Sequence, residues 1–261
     1  MKLHSTIEGS GTPLVLIHGL GSASTTWKMI RPELSRFFQT IALDFPGHGS
    51  TPFNPDLKLD PTSLAHLIIQ NLDELEIDKA HLVGSSLGGW VGLELAALFP
   101  DRVISYTGLA PAGLWLAPYN SRVPGAAITR YMAKSLHKVS PVLLKYDWAK
   151  LIGFGMVSPR WRDLPTDVCI DATKAMGTSE GYFPMWDSFL GERFEKEVAS
   201  SIPVTIIFGD SDNTLPVRTS QERSLAPKHA KWVVLSESGH APMWDHPDEV
   251  ISEILESAGR A

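Results

Sequence analysis

Gly84-Ser85-Ser86-Leu87-Gly88-Gly89 follows the apolar run His81-Leu82-Val83 and opens the apolar stretch from Leu87 to Phe99. The run reads as a buried strand and the stretch as a helix, so these six residues make a sharp strand-to-helix turn. In a G-x-S-x-G turn, the positions two before and two after the serine must be small, because strand and helix backbones crowd there. Centring the motif on Ser86 puts Gly84 and Gly88 in those positions, whereas centring it on Ser85 would put Val83 and Leu87 there. Spacing selects Ser86. The turn holds its hydroxyl clear of the backbone, at a helix N-terminus whose positive field favours a developing oxyanion. Ser86 is therefore the candidate nucleophile.

Working outward, further apolar runs occur at Leu14–Ile17, Thr40–Leu43, Val103–Tyr106, Val204–Phe208 and Trp232–Leu235. Unbroken apolar runs are expected of strands buried on both faces, and their alternation with amphipathic stretches predicts a mostly parallel sheet flanked by helices. The Leu87–Phe99 helix is apolar almost all round, which suits a central position, and it ends before Pro100. A last helix opens at Pro247, with Asp248 and Glu249 in its positive first turn. The alternation breaks between residues 113 and 196, where helical stretches follow one another without a clear strand. The expected organisation is thus a core of residues 1–112 and 197–261, interrupted by a helical cap at 113–196. This insertion holds Trp115, Trp148, Trp161 and Trp186, half of the eight Trp. Trp115, Trp148 and Trp186, with Trp244 beyond the last strand, are candidate lining residues of an apolar pocket.

A serine hydroxyl needs a base. His240 follows the last strand in Ser238-Gly239-His240-Ala241-Pro242, at the strand end where ligand-binding residues collect in parallel sheets. The loop after Val204–Phe208, Gly209-Asp210-Ser211-Asp212, supplies two carboxylates that could orient it. Two backbone donors are needed for an oxyanion, and Leu87 N–H directly after the nucleophile is one. The other is expected from His18-Gly19-Leu20-Gly21-Ser22, at Leu20 N–H. Asp44-Phe45-Pro46-Gly47-His48-Gly49-Ser50 reads as a polar turn that braces the site. No His and carboxylate pair has metal spacing, so neither a metal nor another cofactor is expected.

Composition narrows the partners. The net charge is −6 with no dense Lys/Arg run, which argues against nucleic acid or an anionic membrane surface as the main partner. Cys169 is the only cysteine, which rules out an internal disulfide; between Asp167 and Asp171 it reads as a packing thiol. The first eight residues lack an apolar h-region, and no window approaches eighteen uninterrupted apolar residues. A cytoplasmic enzyme acting on a small molecule is the expectation.

Taken together, the motifs resemble the α/β-hydrolase family. His18-Gly19, Asp44 to Ser50, the Ser86 turn, Gly209 to Asp212 and Gly239 to Pro247 arrive in family order and span nearly the whole chain. The resemblance implies the chain order nucleophile, acid, base, which selects His240 over His18, and it places the acid at Asp212 rather than Asp210. It also implies a cap for the aromatic insertion. Two departures stand out: the segment before Leu14 leaves room for one leading strand, and Ser86 stands where dehalogenase and epoxide-hydrolase relatives have Asp. A serine with a histidine suits attack on a carbonyl. The implied reaction is hydrolysis of a small to medium apolar carboxylic ester through an acyl-enzyme. Carbon–carbon bond hydrolysis of a dienoic ring-cleavage product is the nearest alternative. It would need a buried cation, with Arg122, Arg130, Arg160, Arg162 and Arg193 the cap candidates. A ligand receptor that turns over slowly or not at all is the alternative of another class.

Overall fold

A computed structural model describes residues 1–260. The apolar runs pair into a seven-stranded sheet: β1 (Ser5–Glu8), β2 (Pro13–Ile17), β3 (Gln39–Leu43), β4 (Ala80–Ser85), β5 (Val103–Leu109), β6 (Val204–Gly209) and β7 (Lys231–Leu235). Their order across the sheet is β1-β3-β2-β4-β5-β6-β7. Only β1 is antiparallel to its neighbour, and it is the single leading strand for which the short N-terminal segment leaves room. The longer helices are α1 (Pro61–Glu74), α2 (Leu87–Leu98), α3 (Pro124–Leu136), α4 (Asp147–Phe154), α5 (Thr166–Thr178), α6 (Tyr182–Ser188) and α7 (Pro247–Ser257).

The two-residue period of the strands divides the core. Val15, Ile17, Ile41 and Leu43 face a layer that includes α1 and α2, while Leu14, Leu16 and Ala42 face one that includes Val250 and Ile254 of α7. Both faces are covered, which is why the central strands carry unbroken apolar runs. β7 is the exception. It closes one edge of the sheet and leaves Val234 48% exposed, so its apolar run does not mark a strand buried on both faces. Helix α2 is apolar on its outer side because Trp90 stands edge-on to Trp115, 5.2 Å between ring centres, and packs against Phe189.

Helices α3 to α6 all lie between β5 and β6, and residues 110–203 contain no strand among the described residues. The two ends of this insertion meet: Phe194 N–H donates to the Gly113 carbonyl at 3.0 Å, and Trp115 Nε1 to the Glu192 carbonyl at 2.9 Å. No helix among the described residues is long and apolar enough to cross a membrane.

Buried polar side chains tie together the loops at the C-terminal ends of β2 and β3. Asp44 accepts the N–H groups of Ser24 at 2.7 Å and Ser50 at 2.9 Å. A Cβ on Gly49, whose φ is +54°, would sit 2.3 Å from that carboxyl carbon, so the loop can close on Asp44 only through a glycine. His48 accepts Gly21 N–H through Nε2 at 3.1 Å, and its Nδ1 lies 3.1 Å from the Pro46 carbonyl. His18 accepts Phe45 N–H at 3.0 Å. Asp44, His48 and His18 thus brace the loops, and the neutral form of each ring is the one that accepts an N–H.

Burial holds the His48 ring down to about 3, and that of His81, bonded to Ser105 under the sheet, down to about 4. In the unfolded chain both take up a proton near 6.5. Between those values the unfolded state binds more protons, so stability is intact above pH 6.5 and is lost as pH falls. Each ring contributes a loss of about 2 kcal/mol by pH 5. The urea midpoint is expected to fall steadily from pH 7 to pH 5, and His81→Gln should flatten that slope. A midpoint constant across this window in the native chain would contradict the burial argument.

Candidate active site

Ser86 ends the turn out of β4 with φ 53° and ψ −118°, a sparsely populated conformation that costs a non-glycine residue about 1–3 kcal/mol. The surroundings enforce it. A Cβ on Gly84 would lie 2.2 Å from the Gly88 carbonyl oxygen, and one on Gly88 would lie 2.1 Å from the Ile17 carbonyl oxygen. Ser85 is buried, whereas Ser86 is partly exposed. No side-chain hydrogen bond joins the Ser86 hydroxyl to His240 among the described residues; the ring's side-chain bond is to Asp212.

The loop after β2 lies directly against this residue. A Cβ on Gly19 would be 3.0 Å from Ser86 Cβ and 3.6 Å from Ser86 Oγ. Neither Leu20 N–H nor Leu87 N–H donates to another group among the described residues, so both remain open backbone donors. Together with the start of α2, they can meet a negative oxygen without displacing an existing bond.

His240 and Asp212 meet. His240 Nδ1 lies 2.9 Å from Asp212 Oδ2, and the other oxygen of Asp212 accepts Thr214 N–H and Leu215 N–H, each at 2.8 Å. The Asp212 side chain has no exposed surface, so its charge is poorly screened by water and strongly felt by the ring. A proton on Nδ1 places the lone pair of His240 on Nε2. Asp210 points elsewhere, accepting the hydroxyls of Ser211 at 2.8 Å and Ser236 at 3.2 Å at the surface.

A further carboxylate, not picked out from the sequence, positions the His240 loop. Asp245 is buried and accepts Gly239 N–H at 2.7 Å and the Ser158 hydroxyl. His240 N–H donates to the Val157 carbonyl at 2.7 Å. The only sequence signal for Asp245 was its place in the Gly239–Pro247 segment. Burial raises the Asp245 carboxyl above its ordinary value, and the Gly239 N–H and Ser158 hydroxyl oppose that rise. Met176 and Tyr182 were likewise not singled out as neighbours of the site. A Cβ on Gly21 would lie 2.6 Å from the Met176 methyl and 2.9 Å from the Tyr182 ring, so the insertion rests on the loop after β2.

The four candidate pocket tryptophans are not brought together. Trp115 and Trp186 share an aromatic cluster with Trp90 and Phe189 in the core. Trp244 donates its indole N–H to the Thr26 carbonyl at 3.0 Å, and Trp148 is 57% exposed on α4. Cys169 is buried, and burial more than its acidic neighbours pushes the thiol up to about 11, which suits a packing role.

The family model described as alpha/beta hydrolase family matches residues 14–253. Among curated proteins, the chain is 30% identical over 94% of its length to the dihydrolipoyllysine-residue acetyltransferase component of the acetoin cleaving system of Pseudomonas putida. It spans 63% of that relative's length. Among solved structures, a thermophilic esterase from Thermogutta terrifontis aligns with a TM-score of 0.74 at 22% identity, covering 97% of this chain and 92% of that one. The meta-cleavage product hydrolase CumD from Pseudomonas fluorescens IP01 aligns with a TM-score of 0.73 at 20% identity, covering 98% and 94%. These two likenesses concern the fold. With a family model matched from β2 into α7, over most of the chain, the chain belongs to the alpha/beta hydrolase family.

Proposed function

We propose that this alpha/beta hydrolase is a serine esterase that cleaves a small to medium apolar carboxylic ester through an acyl-enzyme. The observation that carries the reading is the strained Ser86 turn, a conformation of the sort stored at reacting centres. In this reading Ser86 Oγ attacks the carbonyl carbon while His240 Nε2 takes its proton. Leu20 N–H and Leu87 N–H hold the oxygen as it gains charge. Asp212 keeps the His240 ring in the required tautomer and stabilises its charged form. The protonated ring then gives its proton to the departing alcohol. Water, activated by the same ring, releases the acid and restores Ser86. Met176 and Tyr182 offer an apolar wall beside the loop that carries Leu20.

The carbon–carbon reading needs a buried cation for an anionic substrate, and four of the five arginines of the insertion are not buried. Arg130 is the only one of the five that is buried, and it donates to the Gly177 and Ser179 carbonyls. Arg122 pairs with Asp187, Arg193 with Glu195 and Arg160 with Asp163, while Arg162 stacks on Trp161.

A fluorophosphonate probe is expected to label the native chain on the peptide that contains Ser86 and to leave Ser86→Ala unlabelled. Labelling that persists in the variant would remove Ser86 as nucleophile. Turnover of p-nitrophenyl esters beside a dienoate then separates the two hydrolytic readings. Binding that raises the melting temperature with no turnover of either would favour a receptor.

The acid is tested separately. Asp212→Asn is expected to lower kcat about a thousandfold or more, by analogy with the loss of the orienting carboxylate in a triad, and Asp210→Asn by less than about threefold. The reverse ranking would move the acid to Asp210.

A further inference from the structure

Charge and apolar surface are segregated onto one part of the insertion. Residues 116–156 carry six Lys or Arg against a single Asp, in a chain whose net charge is −6. The same stretch presents thirteen of the nineteen exposed large apolar side chains among the described residues.

Helix α3 shows how this arises. It turns Arg130 and Ala133 inward, and α3 packs against α5. On its other side Ile128, Met132 and Leu136 recur every four residues, and all three are exposed. In α4, Trp148, Leu151 and Ile152 fall at the spacing of one helix face and are exposed too. A face meant for water alone is normally polar, so a helix that packs on one side and exposes an apolar stripe on another has surface for a second neighbour. One neighbour of α3 is α5. The second lies outside the chain.

The charges say what it is. Lys134, Lys138 and Lys145 are exposed and have no carboxylate partner among the described residues. An apolar helix face on a stretch of chain that also carries unpaired ammonium groups matches a bilayer whose headgroups are anionic and whose acyl region accepts the apolar side chains. A second copy fits less well. A symmetric contact would set one cationic patch against its own image. We propose that the outer faces of α3 and α4 dock on the surface of an anionic lipid bilayer, lying on it without crossing it.

The test is cosedimentation of the full chain with extruded vesicles. One set is phosphatidylcholine alone and the other is phosphatidylcholine mixed with phosphatidylglycerol. The chain is expected to pellet with the mixed vesicles, to stay free of the neutral ones, and to release as salt is raised. The triple change K134Q/K138Q/K145Q should weaken partitioning at least about tenfold, since each basic group near such a surface adds to the attraction. Leu151→Ser with Ile152→Ser should weaken it comparably, and both variants should melt as the native chain does. Absence from the mixed vesicles would overturn the proposal, as would partitioning that neither variant alters. So would a dimer in light scattering that L151S/I152S dissolves while vesicles capture nothing, which would make the face a contact between copies.

Discussion

Three backbone segments converge on Ser86 with no space for side chains between them. The carbonyl of Ile17 at the end of β2 touches the start of α2 at Gly88, and Gly88 in turn touches Gly84 at the end of β4. This close approach sets the turn, and the turn sets which serine is presented and which N–H groups are left open. It also brings Gly19 against the Ser86 side chain, so the loop that carries Leu20 is located by the same packing. Substituting Gly84 or Gly88 would move strand and helix together, because the atoms that each would meet are all backbone.

Around that point the polar groups form two separate supports. Asp44, His48 and His18 hold the loops after β2 and β3, and Asp212 and Asp245 hold the loops after β6 and β7. The first support depends on rings that stay neutral in the interior. The second depends on carboxylates whose oxygens are divided between backbone N–H groups and a side chain: Asp212 gives one oxygen to Thr214 and Leu215 and the other to His240. A carboxylate with both oxygens engaged cannot swing away, and the imidazole it faces is held with it.

The parts of the molecule that were legible in the sequence are those where physics demands a particular residue. Glycines at Gly84 and Gly88 are demanded by crowding and therefore appear as letters at fixed offsets. The mostly parallel sheet was legible for a similar reason, since strands covered on both faces must be apolar throughout. The edge strand β7 was misread by the same rule, because an edge strand with one packed face can carry an equally apolar run. Asp210 and Asp212 could not be separated by residue type; it is the turn after β6 that sets Asp212 against His240 and Asp210 against Ser211 and Ser236. Val157 could not be found at all, for it acts through a carbonyl that any residue supplies. Net charge hid the most local feature, since a sum over 261 residues erases a basic stretch embedded in an acidic chain.

The hydrogen bond from His240 N–H to the Val157 carbonyl has a bearing on how such chains diversify. Helical insertions in a fold of this type look exchangeable, because both ends emerge from neighbouring strands and can be rejoined to another segment. Here the borrowed segment would also have to return a carbonyl to the main-chain nitrogen of His240, and a hydroxyl to Asp245 where Ser158 now stands. A transplant that matched only the two ends would seal correctly yet leave the imidazole loop unmoored. The insertion is thus tied to the His240 loop as well as to the two strands that it joins.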